Sequence, residues 1–286
     1  MLALQLLISG VGLGAVYALV ALGFTLVWNA SGTVNFAQGQ LVTVGAFFAY
    51  SFLTLAHLSY LVAVPATIVS SFGVGVALER LTIRPLRRPD PLIIIIITIG
   101  TALALQALAQ NVWGPQTRTI PSLSGTNNVQ IGGLSITTQS LWDIGVAAVL
   151  MVLLTLLLQR TNLGRAMRAV AQDANTARQM GIPAPLIVSF TFGLNAALAG
   201  LAGLLLAPTV FISPDMGTSV TLQAFAAAVL GGFGSIPGAV VGGLILGLAQ
   251  VYTAAYVSGS YADAASLALL IGVLVIRPQG LLRTAW

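Results

Sequence analysis

The feature that most constrains the fold is a series of nine long apolar stretches that together take up most of the chain. A helix needs roughly 20 apolar residues to cross about 30 Å of hydrocarbon, and the stretches reach or nearly reach this length. They cover residues 2–28, 36–56, 60–80, 91–113, 141–159, 186–208, 220–231, 238–257 and 262–276. The pattern predicts an all-α, polytopic transmembrane helical bundle of eight to nine spans. It leaves no room for a separate soluble domain, so residues 1–286 are predicted to form one membrane domain.

The composition supports this class and excludes others. Charged residues make up 6% of the 286 residues and hydrophobic residues 57%, whereas a soluble domain has about 25% charged residues. The apolar content excludes disorder, and the continuous apolar runs disfavour a porin-like barrel, whose strands alternate. The sequence has no cysteine and a single histidine, His57, so we expect neither thiolate chemistry nor a histidine metal cluster.

The arginines predict how the bundle is oriented. Ten of the eleven basic residues fall in three polar segments, 80–88, 160–178 and 277–283, while Arg118 lies in the polar loop 114–140. The positive-inside rule places the three segments in the cytoplasm. Nine spans then put the N-terminus outside and the C-terminus in the cytoplasm. If the short seventh stretch re-enters instead, eight spans put the tail outside, which the rule disfavours.

Two segments rich in glycine and polar residues, 29–39 and 231–238, interrupt the apolar pattern. Each is flanked by apolar runs rich in Gly and Ala, which indicates broken helices and a weak internal repeat. Paired broken helices often mark the substrate path of a transporter, because irregular backbone inside a membrane must be buried or line a cavity. The alternative is two ordinary turns, with polar side chains inside spans making interhelical hydrogen bonds. The candidate pathway residues are Asn35, Gln38, Gly39, Asn195, Gly232 and Gly234.

The positions of the acidic residues disfavour an ion-coupled transport mechanism. They are Glu79, Asp90, Asp143, Asp173, Asp215 and Asp263. All lie in loops or near the ends of the apolar stretches, whereas ion-coupled carriers usually place an ionisable residue within the membrane. The sequence also lacks the H-E-x-x-H, G-x-S-x-G and Walker A motifs. We therefore predict that the chain is neither an enzyme nor an ATPase. We expect a transporter that takes its energy from a partner.

The polar segment 164–181 predicts a short capped helix. Asp173 can cap the turn that follows it, and Gly181 suits the left-handed position after the last turn. Arg178, in that last turn, complements the helix dipole. A small, capped, basic-flanked helix between two spans is suited to the groove of a soluble partner. The alternative is an amphipathic helix lying on anionic lipid.

This segment resembles the cytoplasmic coupling motif of bacterial ABC-importer permeases, G-x-x-x-R-A-x-x-x-[DN]-x-x-x-A-x-x-x-G-I. The matching residues are Gly164, Arg168, Ala169, Asp173, Ala177, Gly181 and Ile182. Further segments resemble LivH-type branched-chain amino-acid permeases, in order along nearly the whole chain. They cover residues 18–27, 32–39, 78–86, 229–238 and 276–281.

The resemblance implies a permease subunit of a binding-protein-dependent importer in the bacterial inner membrane. Its implied partners are a second, LivM-like permease chain, two ATP-binding subunits, an extracytoplasmic substrate-binding protein and the lipid bilayer, with no nucleic acid. No cofactor is expected, because the partner subunits bind ATP. The ATPase-coupling residues are expected to be Gly164, Arg165, Arg168, Asp173, Ala177, Arg178 and Gly181.

The resemblance favours branched-chain or related amino acids as substrates. LivH-like permeases are also similar to permeases for urea and short amides, so the same importer class with that substrate is the first alternative. A self-sufficient channel or ion-coupled carrier is the second.

Overall fold

The computed structural model describes residues 2–86, 90–122, 128–131 and 134–282, so Arg87, Arg88 and Arg283 lie outside the described residues. Within these ranges the chain forms eleven α-helices. They are α1 Leu2–Ser31, α2 Gln38–Tyr50, α3 Tyr60–Leu78, α4 Pro91–Trp113, α5 Thr138–Arg160, α6 Asn162–Gln172, α7 Ala174–Gln179, α8 Ala184–Leu206, α9 Met216–Gly231, α10 Ile236–Tyr256 and α11 Ala262–Ile276. Short π-helical turns extend α2 and α3, at Ser51–Leu55 and Glu79–Ile83. A 3-10 turn, Gly259–Tyr261, precedes α11.

Seven helices in the described part of the chain are long and apolar enough to cross a membrane. They are α1, α3 with its π-helical turn, α4, α5, α8, α10 and α11 with its 3-10 turn. The all-α membrane fold is therefore confirmed, and the seven helices are slightly fewer than the eight to nine predicted spans. The two predicted stretches that are not among the seven contain α2, of 13 residues before its π-helical turn, and α9, of 16 residues.

Side-chain caps begin two of the helices. Asp90 precedes α4, and its side chain accepts a hydrogen bond from the backbone N–H of Leu92 at 2.9 Å. Ser235 precedes α10, and its hydroxyl accepts one from Gly238 at 3.0 Å. Each cap satisfies an N–H group that the first helical turn leaves without an intrahelical partner. Each helix also carries a proline at its start, where the missing N–H costs nothing.

Central and peripheral helices differ strongly in burial. Most of α1 and α8 is buried, whereas most of α4 and α11 is exposed. The exposed residues of α4 and α11 include many large apolar side chains, among them Ile96 and Val275, as expected for a surface that faces lipid or another membrane chain. Glycines allow the central helices to pack closely: a Cβ added to Gly14 of α1 would lie 2.8 Å from the carbonyl oxygen of Gly243 in α10.

The bundle has two ends, which the contacts distinguish. The coupling end is the one at which α6 and α7 follow α5. The far end is marked by Trp113, which ends α4 and donates a hydrogen bond to the hydroxyl of Ser51 at 2.7 Å. The non-helical residues 32–37 and α2 together lead the chain from the coupling end to the far end. Residues 32–37 of this passage are therefore not helical, whereas most of the predicted stretch 36–56 lies in α2 and its π-helical turn.

The loop between α4 and α5 contains two short antiparallel strands, β1 Asn128–Ile131 and β2 Leu134–Thr137. Their register pairs Asn128 with Thr137 and Ile131 with Leu134. The same loop is tied to the α8–α9 connection by a β-bridge between Arg118 and Ile212. These contacts join the connecting loops at the far end and do not alter the arrangement of the helices.

Candidate functional site

The predicted coupling segment consists of two helices rather than one. Asp173 separates α6 from α7 because its backbone is extended, with φ −157° and ψ 107°. Its Oδ1 accepts hydrogen bonds from the N–H groups of Asn175 at 2.8 Å and Thr176 at 3.3 Å. Its Oδ2 accepts one from the Thr176 hydroxyl at 2.7 Å. The hydroxyl first, and then the two N–H groups, lower the pKa of the Asp173 carboxyl. The predicted N-cap is confirmed.

The end of α7 is also formed as predicted. Gly181 has φ +84°, a left-handed conformation that favours glycine. The N–H of Gly181 donates to the carbonyl of Arg178 at 3.0 Å, and the N–H of Ile182 donates to that of Ala177 at 3.0 Å. This pair of hydrogen bonds is a Schellman motif, which satisfies the last carbonyls of the helix.

α7 presents a polar surface to its surroundings. Its exposed residues are Asn175, Thr176, Arg178 and Gln179, and the exposed, apolar Met180 follows its end. Ala177, in contrast, is buried, so this small residue packs against the rest of the chain. The surface available to a partner is therefore the polar and basic face of α7.

α6 is anchored to the end of α5. Gly164 is buried there, and a Cβ added to it would overlap the carbonyl oxygens of Leu157 and Leu158. Arg168 donates a hydrogen bond from Nη1 to the carbonyl of Leu158 at 2.9 Å. Arg165 is exposed and bonds locally to the side chain of Asn162. Gly164 and Arg168 thus hold α6 to the bundle.

A cavity of about 330 Å³ lies beside α6 at the coupling end. Its walls come from the end of α1 and the start of the first break, from the end of α5, from α6 and from the start of α10. They include Trp28, Gly32, Leu158, Met167 and Ile236. The cavity therefore places α6 directly beside residues of both predicted breaks.

The two breaks contact each other at this end. The side chain of Asn29 donates from Nδ2 to the carbonyl of Gly234 at 3.1 Å, and the ring of Trp28 packs edge-on against Phe233 at 5.1 Å. Gly232 and Gly234 have φ +108° and +90°. These two candidate pathway residues therefore lie at the coupling end, where the backbone turns between α9 and α10.

Three other candidate pathway residues meet where α2 crosses α8 and α9. The side chain of Asn195 donates from Nδ2 to Oε1 of Gln38 at 2.7 Å. The N–H of Gly39 donates to the Thr221 hydroxyl at 3.1 Å. Gln38 and Asn195 are fully buried. They join α2 to its neighbours and line neither of the two cavities described here.

Asn35 lies in the first break, just before α2. It is buried, and its Oδ1 accepts a hydrogen bond from the N–H of Ala37 at 3.0 Å. Its Nδ2 and the Oδ1 of Asn195 have no hydrogen-bond partner among the described residues. Such buried unpaired groups are unfavourable in a closed bundle.

The far end holds a polar cluster that the sequence did not predict as a site. Asp263, in the first turn of α11, accepts hydrogen bonds at Oδ1 from the side chains of Gln223 at 3.0 Å and Gln250 at 2.7 Å. The Tyr17 hydroxyl donates to Oε1 of Gln250 at 2.8 Å. The cluster borders a second cavity, of about 290 Å³. An acid at the start of an apolar helix and glutamines inside two others were the available signals.

In the part of the chain that the structure describes, no three His, Asp or Glu side chains are grouped so that they could hold a metal ion. The arrangement is suited to a mechanical role. An exposed polar helix, an anchored helix beside it, and a cavity shared with two backbone breaks lie together at one end of the bundle.

Known proteins are similar to this chain in sequence or in fold. A family described as "Branched-chain amino acid transport system / permease component" matches residues 6–274. The high-affinity branched-chain amino acid transport system permease protein BraD of Pseudomonas aeruginosa is 37% identical, covering 98% of this chain and 95% of BraD. The corresponding LivH of Escherichia coli K12 is 38% identical, covering 98% of this chain and 95% of LivH.

A solved structure, PsaBC from Streptococcus pneumoniae in complex with Fab, shares the fold with a TM-score of 0.53 and 13% identity. It covers 96% of this chain and 91% of the solved chain. At this identity the similarity concerns the fold alone. The sequence relatives, which match over nearly the full length, indicate a multi-pass membrane component of a transport system and not an enzyme. The chain belongs to the family of branched-chain amino acid transport permeases.

Proposed function

We propose that the chain is the inner-membrane permease subunit of an ABC importer for branched-chain or related amino acids. Separate ATPase subunits would bind the exposed face of α7 and move α6 against the bundle. The observation that carries the proposal is the cavity at the coupling end, because α6 and both backbone breaks line it together. A movement of α6 would therefore act directly on the breaks.

The anchoring of α6 supports this transmission of force. The contacts of Gly164 and Arg168 with the end of α5 join α6 to a membrane span. Asp173 and Gly181 fix the two ends of α7. Arg178 adds a positive charge to the exposed surface, where it can pair with an acidic groove of the partner. These contacts support the proposed coupling role of Gly164, Arg168, Asp173, Arg178 and Gly181, which hold or present α7.

The names of the relatives support the substrate class, since BraD and LivH are branched-chain amino acid permeases. The proposed importer contains a second, LivM-like permease, two ATP-binding subunits and an extracytoplasmic binding protein. We propose that the coupling end faces the cytoplasm, together with the C-terminus, because the arginines of α5, α6 and α7 lie there. The far end and the N-terminus then face the binding protein.

The proposed pathway passes the breaks and the crossing of α2 with α8 and α9. Asn35, Gln38, Gly39 and Asn195 would become exposed to substrate when these helices separate. The unpaired Asn35 Nδ2 and Asn195 Oδ1 favour this role, because a passing solute can satisfy them in the open state.

The test is uptake by proteoliposomes that contain this permease, the second permease, the ATPases and the binding protein encoded by neighbouring genes. We expect ATP-dependent uptake of leucine, and none by liposomes with this chain alone. Uptake of urea or acetamide instead would assign the alternative substrate class. Flux through the chain alone would contradict the proposal and support a channel or ion-coupled carrier.

Replacing Gly181 tests the coupling role separately. Gly181→Val forces a β-branched residue into a backbone with φ +84°, which such residues rarely adopt. We expect ATP hydrolysis to continue while uptake falls. Gly272→Val is the control, because Gly272 has open space around it and an ordinary backbone. Equal coupling in the two variants would contradict the proposal.

A further inference from the structure

The cavity at the far end is bordered by acidic residues. It has a volume of about 290 Å³, near the lower limit of small-molecule sites, which span roughly 300–1,000 Å³. Asp215 and Asp263 both line it, and none of its described lining residues is basic. Arg118, in the adjacent loop, lies over the ring of Tyr50 at 5.7 Å instead. Counting its described lining residues, the cavity therefore has a net negative formal charge.

The hydrogen bonds fix which way the two glutamine amides point. A carboxylate can only accept, so the amide nitrogens of Gln223 and Gln250 must face Asp263. The amide oxygen of Gln250 then accepts from Tyr17. The amide oxygen of Gln223 has no partner among the described residues, although Gln223 is only 3% exposed and lines the cavity.

The cavity consequently presents acceptors to its contents. Asp215 and Asp263 contribute exposed carboxylates, and the unpaired amide oxygen of Gln223 lies buried within the wall. A primary ammonium group has three N–H donors, a positive charge and no acceptor, so it matches this set. The rest of the wall is mostly apolar, including Leu13, Leu206, Val210 and Val220, and suits a short apolar side chain.

We propose that this cavity is an entry site that binds the ammonium group of a small apolar amino acid. The proposal rests on the proposed transport function and assigns a substrate group to a specific position. Gln223 and Asp263 would hold the ammonium, while the apolar wall would contact the side chain. The substrate carboxylate would face the open side of the cavity, away from Asp263.

The test uses the full-length chain in phosphatidylcholine nanodiscs, with binding measured by titration calorimetry against empty nanodiscs. The probes are leucine, isoamylamine, 4-methylpentanoate and isoamyl alcohol, which share a branched apolar group. We expect leucine and isoamylamine to bind, because both carry the ammonium. Binding of 4-methylpentanoate as tightly as isoamylamine, or no binding of isoamylamine, would overturn the proposal.

Substitutions then locate the site. Asp263→Asn keeps an oxygen for both glutamines but removes the charge, and we expect isoamylamine to bind about tenfold more weakly. Asp215→Asn provides a second test, because its side chain caps no helix and the variant should fold. Asp90→Asn removes a carboxylate at the start of α4 as the control. Unchanged affinity in both cavity variants would overturn the proposal.

Two further measurements distinguish an amino-acid site from a lipid site and from a failure of transport as a whole. Phosphatidylethanolamine also carries a primary ammonium, so the titration is repeated with this lipid in the nanodiscs. We expect the same affinity, and displacement of isoamylamine would assign the cavity to a lipid headgroup and overturn the proposal. In the reconstituted importer, leucine uptake that is equal in wild type and Asp263→Asn would leave the transport function standing and overturn this site.

Discussion

Arg168 donates a hydrogen bond through Nη1 to the backbone carbonyl of Leu158 at 2.9 Å, across the junction between α6 and α5. The carbonyls in the last turn of a helix have no intrahelical partners and carry partial negative charge. A guanidinium at this position both satisfies a carbonyl and complements the dipole. The contact connects the end of a membrane span to the segment that we expect to meet the ATPase.

Loss of this contact should weaken the α5–α6 junction. We expect Arg168→Gln to lower the free energy of unfolding by about 1.5–2 kcal/mol, at the low end of the range for a hydrogen bond from a charged group, because Arg168 is half-buried. It should also reduce the stimulation of ATP hydrolysis by substrate-loaded binding protein. Thermal unfolding in detergent and ATPase assays of the reconstituted importer measure these effects. Arg160→Gln is the control, because Arg160 is exposed at the end of α5 and is not among the predicted coupling residues. Equal losses in both variants would contradict a specific role for Arg168.

The capping of α7 should depend on the side chain of Asp173. We expect Asp173→Ala to expose the amides of Asn175 and Thr176, and Asp173→Asn to retain most of the protection, because asparagine is also a good N-cap. Hydrogen–deuterium exchange of residues 174–179 measures the difference. Equal protection in wild type and Asp173→Ala would show that the cap does not stabilise α7.

The same cap should have a defined pH dependence. The folded pKa of Asp173 is lowered from its ordinary value of 3.8, so the folded state favours the ionised form. Its stabilising contribution is complete above the unfolded pKa and is lost as the pH falls through the lower, folded value. Exchange at 174–179, corrected for the intrinsic rate, should therefore stay protected at pH 5 to 7 and rise in wild type below about pH 4. Asp173→Asn should lack this rise.

Local sequence signals predicted the two ends of α7, whereas the other contacts of the coupling segment depend on the tertiary fold. Asp173 and Gly181 act within a few residues of themselves, so sequence rules for helix ends were sufficient. The division into α6 and α7 was missed because the same Asp173 that begins α7 also ends α6. Arg168 was predicted as a coupling residue, but its contact with Leu158 required the fold.

The far-end cluster shows why some sites cannot be predicted from one sequence. Tyr17 and Gln250 are separated by 233 positions and meet only because α1 packs against α10. The sequence offered no spacing or motif that would join them to Asp263. Glycines that permit this packing were visible, but their partners were not, since Gly14 gives no indication that it faces Gly243.

The contact between Gln38 and Asn195 should stabilise the closed bundle. A double-mutant cycle with Gln38→Met and Asn195→Leu should give a coupling energy of about 0.6–1.7 kcal/mol, as for other interhelical hydrogen bonds in membranes. Thermal unfolding in detergent measures it. If the residues also line the pathway, both single variants should reduce uptake without reducing ATP binding. A coupling energy near zero would show that the 2.7 Å contact makes no net contribution.

The close approach of α2 and α8 predicts a loss of stability when a side chain is added between them. Gly45 lies against Gly200, and a Cβ added to Gly45 would come within 3.0 Å of three backbone atoms of that residue, which cannot move without shifting α8. We expect Gly45→Ala to lower the free energy of unfolding by about 1–3 kcal/mol, the usual cost of overpacking. Gly100→Ala, on α4, is the matched control because open space surrounds Gly100, and it should be neutral or slightly stabilising. Thermal unfolding of the two purified variants in the same detergent compares them directly. Equal stability would mean that α2 and α8 are farther apart than described, and that the buried hydrogen bond between Gln38 and Asn195 must be weaker as well.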